Sequence, residues 1–92
     1  MSVADGLRDW IGQTVVVDVT NPTVYIGRLD AADEYFVTLA DADDHELRGG
    51  TVSKEIYVME AIRNGLQPSR KLVKLKQAEI LSLSRAEDII LY

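Results

Sequence analysis

Apolar residues recur along this chain with two different periods. Val3, Leu7, Trp10 and Ile11 fall at i, i+4, i+7 and i+8, the stripe of a short amphipathic helix. Ser2 is placed to cap that helix, Asp5 suits its first turn and Gly12 is placed to end it. From Thr14 the period drops to two. Val15, Val17 and Val19 share one face while Asp18 and Thr20 lie on the other, which predicts a strand closed by the turn Asn21-Pro22. Val24 to Asp30 predicts a second strand, and Gly27 within it points to a sharp bend or a close backbone approach. Asp30 to Asp33 reads as a turn and Tyr35 to Leu39 as a third strand. Bent strands joined by short turns favour a small barrel over an open sheet.

The second half is less regular. Asp41 to Thr51 is polar, ends in Gly49-Gly50 and is expected to be a loop. Lys54 to Asn64 holds good helix formers, with Ser53 as a cap and Asn64-Gly65 as a stop, although a strand through Ile56 to Met59 competes with the helix. Pro68 precedes an alternating basic stretch, Lys71 to Lys76, in which Lys74 and Lys76 share one face and Val73 and Leu75 the other. Ile80 to Ser84 is expected as a fourth strand and Ile89 to Tyr92 as a fifth. That last strand ends on three apolar residues and an aromatic. Such an edge closes a barrel within its own chain or pairs with another copy, and the small size of the domain favours pairing.

Composition narrows the function. Ninety-two residues, 47% of them apolar, suffice for one domain. There is no cysteine, which excludes a disulfide scaffold, a thiolate zinc site and a cysteine nucleophile. No apolar run approaches the ~20 residues of a membrane span, and the first residues lack the pattern of a signal peptide, so a cytoplasmic location without membrane contact is expected. The net charge of −5 is uneven: residues 1–50 hold 10 acidic and 3 basic groups, and residues 51–92 hold 5 acidic and 7 basic groups. This balance argues against indiscriminate nucleic-acid binding but allows a local basic site. Lys54, Arg63, Arg70, Lys71, Lys74 and Lys76 supply one candidate; the plainer reading is a solvated face that keeps a strand edge soluble. Asp41, Asp43, Asp44, His45 and Glu46 cluster around the single histidine but lack the spacing of a calcium loop, and no metal or cofactor is expected. Thr51, Ser53, Ser82 and Ser84 lack the surroundings of a catalytic nucleophile, so the chain is not expected to be an enzyme.

Several of these segments resemble the Sm/LSm family, which includes the bacterial RNA chaperone Hfq. The family's first signature has an apolar-plus-glycine entry, matched by Trp10-Ile11-Gly12. It continues with a glycine, an apolar residue two later and an aspartate six later, matched by Gly27, Leu29 and Asp33. Asp33-Glu34-Tyr35-Phe36 is similar to the Asp-Gln-aromatic segment that follows. Arg85-Ala86-Glu87-Asp88, placed before Ile89-Ile90, resembles the second signature, Arg-Gly-Asp/Asn-Asn before an apolar strand, with Ala86 in place of the glycine. The matched segments cover about half of the chain, residues 7–40 and 79–92.

The resemblance implies a mainly β fold: an N-terminal helix followed by a small, strongly bent five-stranded antiparallel Sm-like (SH3-like) barrel. Residues 1–92 would form one domain, with an insertion at 41–77 carrying a helix at about 53–65. It implies a homo-oligomeric ring of about five to seven subunits, joined by pairing one subunit's fourth strand with the next subunit's fifth. Ile80, Leu81, Leu83, Ile89, Ile90, Leu91 and Tyr92 would lie at that interface. It further implies single-stranded RNA as ligand, with Tyr35 and Arg85 stacking on the two faces of a base beside Asp33, Glu34 and Val37, and with Lys74 and Lys76 nearby. Val37 stands where Sm proteins carry a uracil-selecting asparagine, and a valine cannot offer an amide's donor and acceptor. The same residues permit another reading, in which Tyr35 packs at a strand start and Arg85 pairs with Glu87, Asp88 or Asp33. The ring would then be a scaffold that binds a protein partner through residues 41–77.

Overall fold

A computed structural model describes residues 3–46 and 53–91. Helix α1 (Val3–Leu7) runs into a 3-10 turn (Arg8–Trp10) and leads to three long strands, β1 (Thr14–Val19), β2 (Thr23–Ala32) and β3 (Phe36–Glu46). Helix α2 (Lys54–Asn64) precedes β4 (Arg70–Lys76), and a single 3-10 turn (Gln77–Glu79) connects β4 to β5 (Ile80–Arg85). All pairings are antiparallel and the strand order is β4-β3-β2-β1-β5, one five-stranded sheet with β4 and β5 at its edges. This is the expected mainly β fold with an N-terminal helix. Ser2, Gly49-Gly50, Thr51 and Tyr92 lie outside the described residues.

The sheet bends because its register slips. Between β2 and β3 the pairing shifts once between Ile26 and Arg28 and again between Leu29 and Ala31. Each bulge adds local twist and kinks its strand. At the first slip Asp41 takes a left-handed backbone (φ 49°), and Arg28 donates to its carboxylate at 2.9 Å. Gly27 sits across from this point. A Cβ there would lie 2.8 Å from Ala42 Cβ and 3.0 Å from Ala42 Cα, so only glycine lets β2 and β3 approach this closely.

The bend gives the sheet an inside and an outside. On the inside, Val15, Val17, Val19, Leu29, Val37, Leu39 and Leu75 form the core, with Leu7 of α1 across it and Trp10 packed against them. On the outside, Val16, Val24 and Ile26 form a second apolar patch, which Val58 of α2 covers together with Tyr57, Ala61 and Ile62. β1 therefore buries Val15, Val16 and Val17 in succession. Alternation alone assigns Val16 to the polar face; the helix makes that face a second interior.

The helix reading of residues 54–64 holds and the strand alternative through Ile56 to Met59 does not. Ser53 Oγ accepts the Ile56 N–H at 3.3 Å, and Gly65 ends the helix at φ 89°. Polar pins tie α2 to the sheet. Lys54 Nζ lies 3.0 Å from the Asp18 carboxylate, Tyr57 Oη donates to Asp43 at 2.8 Å, and the Tyr57 ring stacks on His45 at 4.7 Å. Burial, reinforced by the Asp43 carboxylate, pushes the Tyr57 hydroxyl well above the ordinary tyrosine range and keeps it a donor.

Three expectations change. Residues 41–46 are not a loop but the second half of β3, paired with Thr23 to Ile26. Their three aspartates suit a strand because each finds a polar partner: Asp41 meets Arg28, Asp43 meets Tyr57 and Ser69, and Asp44 meets Arg70. The segment joining the third and fourth strands is therefore 47–69 and not 41–77. The basic stretch is β4, which makes Ile80–Arg85 the fifth strand and leaves no strand at Ile89 to Leu91. A 3-10 turn at Ala86–Asp88 ends β5, where Arg85 grips Asp88, and the chain folds back so that Ile89 packs on the outer apolar patch.

Candidate nucleic-acid interface

The β2–β3 turn is held by one carboxylate. Asp33 Oδ1 accepts the backbone N–H groups of both Tyr35 and Phe36 at 2.8 Å, while the Asp33 N–H donates to the Phe36 carbonyl at 2.9 Å. Those two amide bonds, the Tyr35 one first, hold the Asp33 carboxyl below the usual carboxylate range, with a further contribution from Lys74. The turn presents Tyr35 to solvent, 71% exposed, while Phe36 is half-buried with Lys74 Nζ 5.8 Å above its ring centroid.

The β4–β5 turn is bound to the β2–β3 turn. The Gln77 N–H donates to the Tyr35 carbonyl at 2.8 Å, and Gln77 Nε2 donates to the Asp33 carbonyl. Glu34, Tyr35 and Phe36 on one side and Lys76, Gln77 and Ala78 on the other line a cleft of about 370 Å³. Its lining is almost wholly apolar, and the Gln77 amide is turned to the Asp33 carbonyl. Flat aromatic groups can stack there, and phosphate oxygens can meet Lys76.

The expected site residues divide. Asp33, Glu34, Tyr35 and Lys76 come together, and Lys74 lies beside them on β4 over Phe36. Arg85 does not join them. Its guanidinium binds Asp88 at 2.7 and 3.2 Å and Glu87 at 3.0 Å, and it lies 5.4 Å from the Trp10 ring centroid. That is the plainer alternative for Arg85, and it removes the expected sandwich with Tyr35. Val37 is likewise corrected: at 0% exposure it belongs to the core and no base can reach it.

Gln77 and Ala78 carried no site assignment in the sequence. Their signal was positional: Lys76-Gln77-Ala78-Glu79 immediately precedes the observed fifth strand. The apolar run at Ile89 instead pointed to a last strand beginning nine residues later than the observed one at Ile80.

Among the expected interface residues, Ile80 and Leu83 pack on the chain's own inner core and Ile89 on its outer one. Leu81 and Ile90 remain 70% and 74% exposed, Leu91 is half-buried, and Tyr92 lies outside the described residues. Among the described residues no group of three or more His, Asp or Glu is arranged to hold a metal ion, and no helix is long and apolar enough to cross a membrane.

Comparison with solved structures places this architecture in a class. A Pyrococcus abyssii Sm protein in complex with a uridine heptamer superimposes with a TM-score of 0.62 at 17% identity, covering 92% of this chain and 99% of that one. The Pyrobaculum aerophilum SmAP1 heptamer matches with a TM-score of 0.59 at 20% identity, covering 92% and 93%. A chain of the NatC complex bound to CoA matches with a TM-score of 0.58 at 20% identity, covering 85% and 80%. The chain has the Sm-like fold. No protein-family profile and no curated protein matches the sequence.

Proposed function

We propose that this chain is a cytoplasmic Sm-like protein that assembles into a homo-oligomeric ring and binds single-stranded RNA at the Tyr35 cleft of each subunit. The observation that carries the reading is the exposed Tyr35 ring, on a backbone held by Asp33 and Gln77, in an apolar cleft that Lys76 also lines. A base stacks on the phenol while Lys76 meets a neighbouring phosphate. Repetition around a ring multiplies a single weak site into a strong one, and so a chain with a net charge of −5 can bind RNA locally. Two neighbours of the same fold support the reading, one an Sm protein in complex with a uridine heptamer and the other a heptamer. The ring closes by adding one subunit's β4 edge to the β5 edge of the next, which satisfies the unpaired backbone groups of both.

Native mass spectrometry with short oligo-U and oligo-A tests both parts. Base stacking is worth about 1–3 kcal/mol per base, so Tyr35→Ala should weaken binding by roughly 5- to 150-fold with the ring intact. Lys76→Ala should weaken it less and flatten its salt dependence. Because Val37 is buried, the two RNAs should bind within a few-fold of each other. Rings that bind neither RNA would leave the second reading, a scaffold for a protein partner that docks on the 47–69 segment.

A further inference from the structure

The Tyr35 cleft holds a group to which base stacking gives no role. Glu34 lines the cleft next to Tyr35 and is exposed, and its carboxylate makes no hydrogen bond or ion pair among the described residues. We propose that Glu34 selects the base that stacks on Tyr35, and that the base it selects is guanine. The inference rests on the RNA reading above and adds to it the chemistry of the base edge.

Elimination within the cleft leaves Glu34 as the reader. The Asp33 carboxylate is committed to the Tyr35 and Phe36 amides at 2.8 Å. The Gln77 amide donates to the Asp33 carbonyl, which leaves that side chain a single neutral oxygen. Lys76 has donors only, and phosphates compete for them. The rest of the lining is almost wholly apolar, a surface that accepts the face of a base without reading its edge. Glu34 and Tyr35 both border this cleft because they lie in the turn between β2 and β3; in a strand, adjacent side chains point to opposite faces. A base laid on the phenol therefore has a carboxylate one residue away.

That carboxylate distinguishes the bases by what they donate. It offers two acceptor oxygens and no donor. Guanine alone among the four RNA bases presents two donors side by side on its Watson–Crick edge, N1–H and N2–H, and a carboxylate can meet both at once. Adenine and cytosine each set one amino group beside a ring-nitrogen acceptor, and uracil sets one N3–H between two carbonyl oxygens. With each of these three the second carboxylate oxygen faces a lone pair. The negative charge, unfavourable beside phosphates, is offset by Lys76 in the same cleft and by Lys74 over Phe36. With Val37 buried, no side chain at that position competes in favour of uracil.

Fluorescence anisotropy with labelled RNA heptamers tests the proposal. One is all uridine, and the others carry a single central guanosine, adenosine or inosine; inosine keeps N1–H and lacks the N2 amino group. The guanosine heptamer should bind the wild-type protein at least about tenfold more tightly than heptauridine, as one bidentate pair provides. Adenosine should stay within a few-fold of uridine, and inosine should fall between uridine and guanosine. Glu34→Gln should bring guanosine to within a few-fold of uridine, while heptauridine binds as well or better and circular dichroism stays unchanged. The ratio is the readout, because a carboxylate acting only through its charge would weaken every RNA alike, and its removal would leave the ratio untouched. RNA binding by the wild type without a guanosine preference, or a preference that survives Glu34→Gln, overturns the role of Glu34 and leaves the RNA reading standing. Inosine binding as tightly as guanosine refutes the two-donor contact. Failure of the wild type to bind any heptamer overturns both readings.

Discussion

Replacing Gly27 with alanine tests the origin of the bend directly. The added Cβ would sit 2.8 Å from Ala42 Cβ, 3.0 Å from Ala42 Cα and 3.2 Å from the Ala40 carbonyl oxygen, all on a strand paired on both sides. Two of these atoms are backbone, so no side-chain rotation relieves the contact, and β2 and β3 must separate at the bulge. Overpacking of this kind costs about 1–3 kcal/mol, and the lost flexibility of the unfolded chain returns about 0.4–1 kcal/mol. The net expectation is a loss of about 1–2 kcal/mol, or roughly 4–16 °C in Tm for a domain of this size. Thermal and urea unfolding followed by circular dichroism would measure it, at one fixed protein concentration because self-association of the kind proposed makes apparent stability concentration-dependent. Two variants sharpen the result. Gly6→Ala, in α1 with no atom within 4 Å of the new Cβ, should be neutral or stabilising by up to about 1 kcal/mol. Ala42→Gly in the Gly27→Ala background removes the 2.8 Å contact but not the 3.0 Å one, and should recover part of the loss. If Gly27→Ala melts at or above the wild-type temperature, the close approach is not what shapes the sheet.

Further outcomes follow from the helix and the turn. Val58→Ala removes two methyl groups from the outer core at 5% exposure, and should cost about 2 kcal/mol and speed hydrogen exchange in α2 ahead of the strands. Asp33 is a carboxyl with a lowered pKa, so its contribution to the turn is complete above its unfolded value near pH 4 and is lost only as pH falls through the lower folded value. Amide NMR shifts of Tyr35 and Phe36 should report that titration; Asp33→Asn should abolish it, and a midpoint at or above the ordinary aspartate value would contradict the two amide bonds.

The candidate site was half legible in the sequence. The aspartate-led turn at Asp33 could be read because its chemistry is local: one carboxylate satisfies amides two and three residues on. The opposite wall was misread because it depends on which apolar run becomes the last strand. Ile80 to Leu83 and Ile89 to Leu91 are both apolar, and only the first pairs with β1. Arg85 follows from that choice: at the end of β5 it faces Trp10, Glu87 and Asp88 and is drawn away from the cleft.

By itself the amino-acid sequence determined the elements whose causes lie within a few residues. These include the capped helix at 54–64, the strand from Thr14 and the glycine at the bend. It also set the uneven charge that confines any RNA contact to one place. Tertiary structure decided what depends on partners far along the chain. The acids at 41–46 form a strand because Tyr57, Ser69, Arg28 and Arg70 come to meet them. Val16 is core because α2 lies over it, and Val37 is buried because the sheet curls around it. Periodicity assigns a residue to a face of its strand, but which faces are closed to water depends on the elements that pack over them.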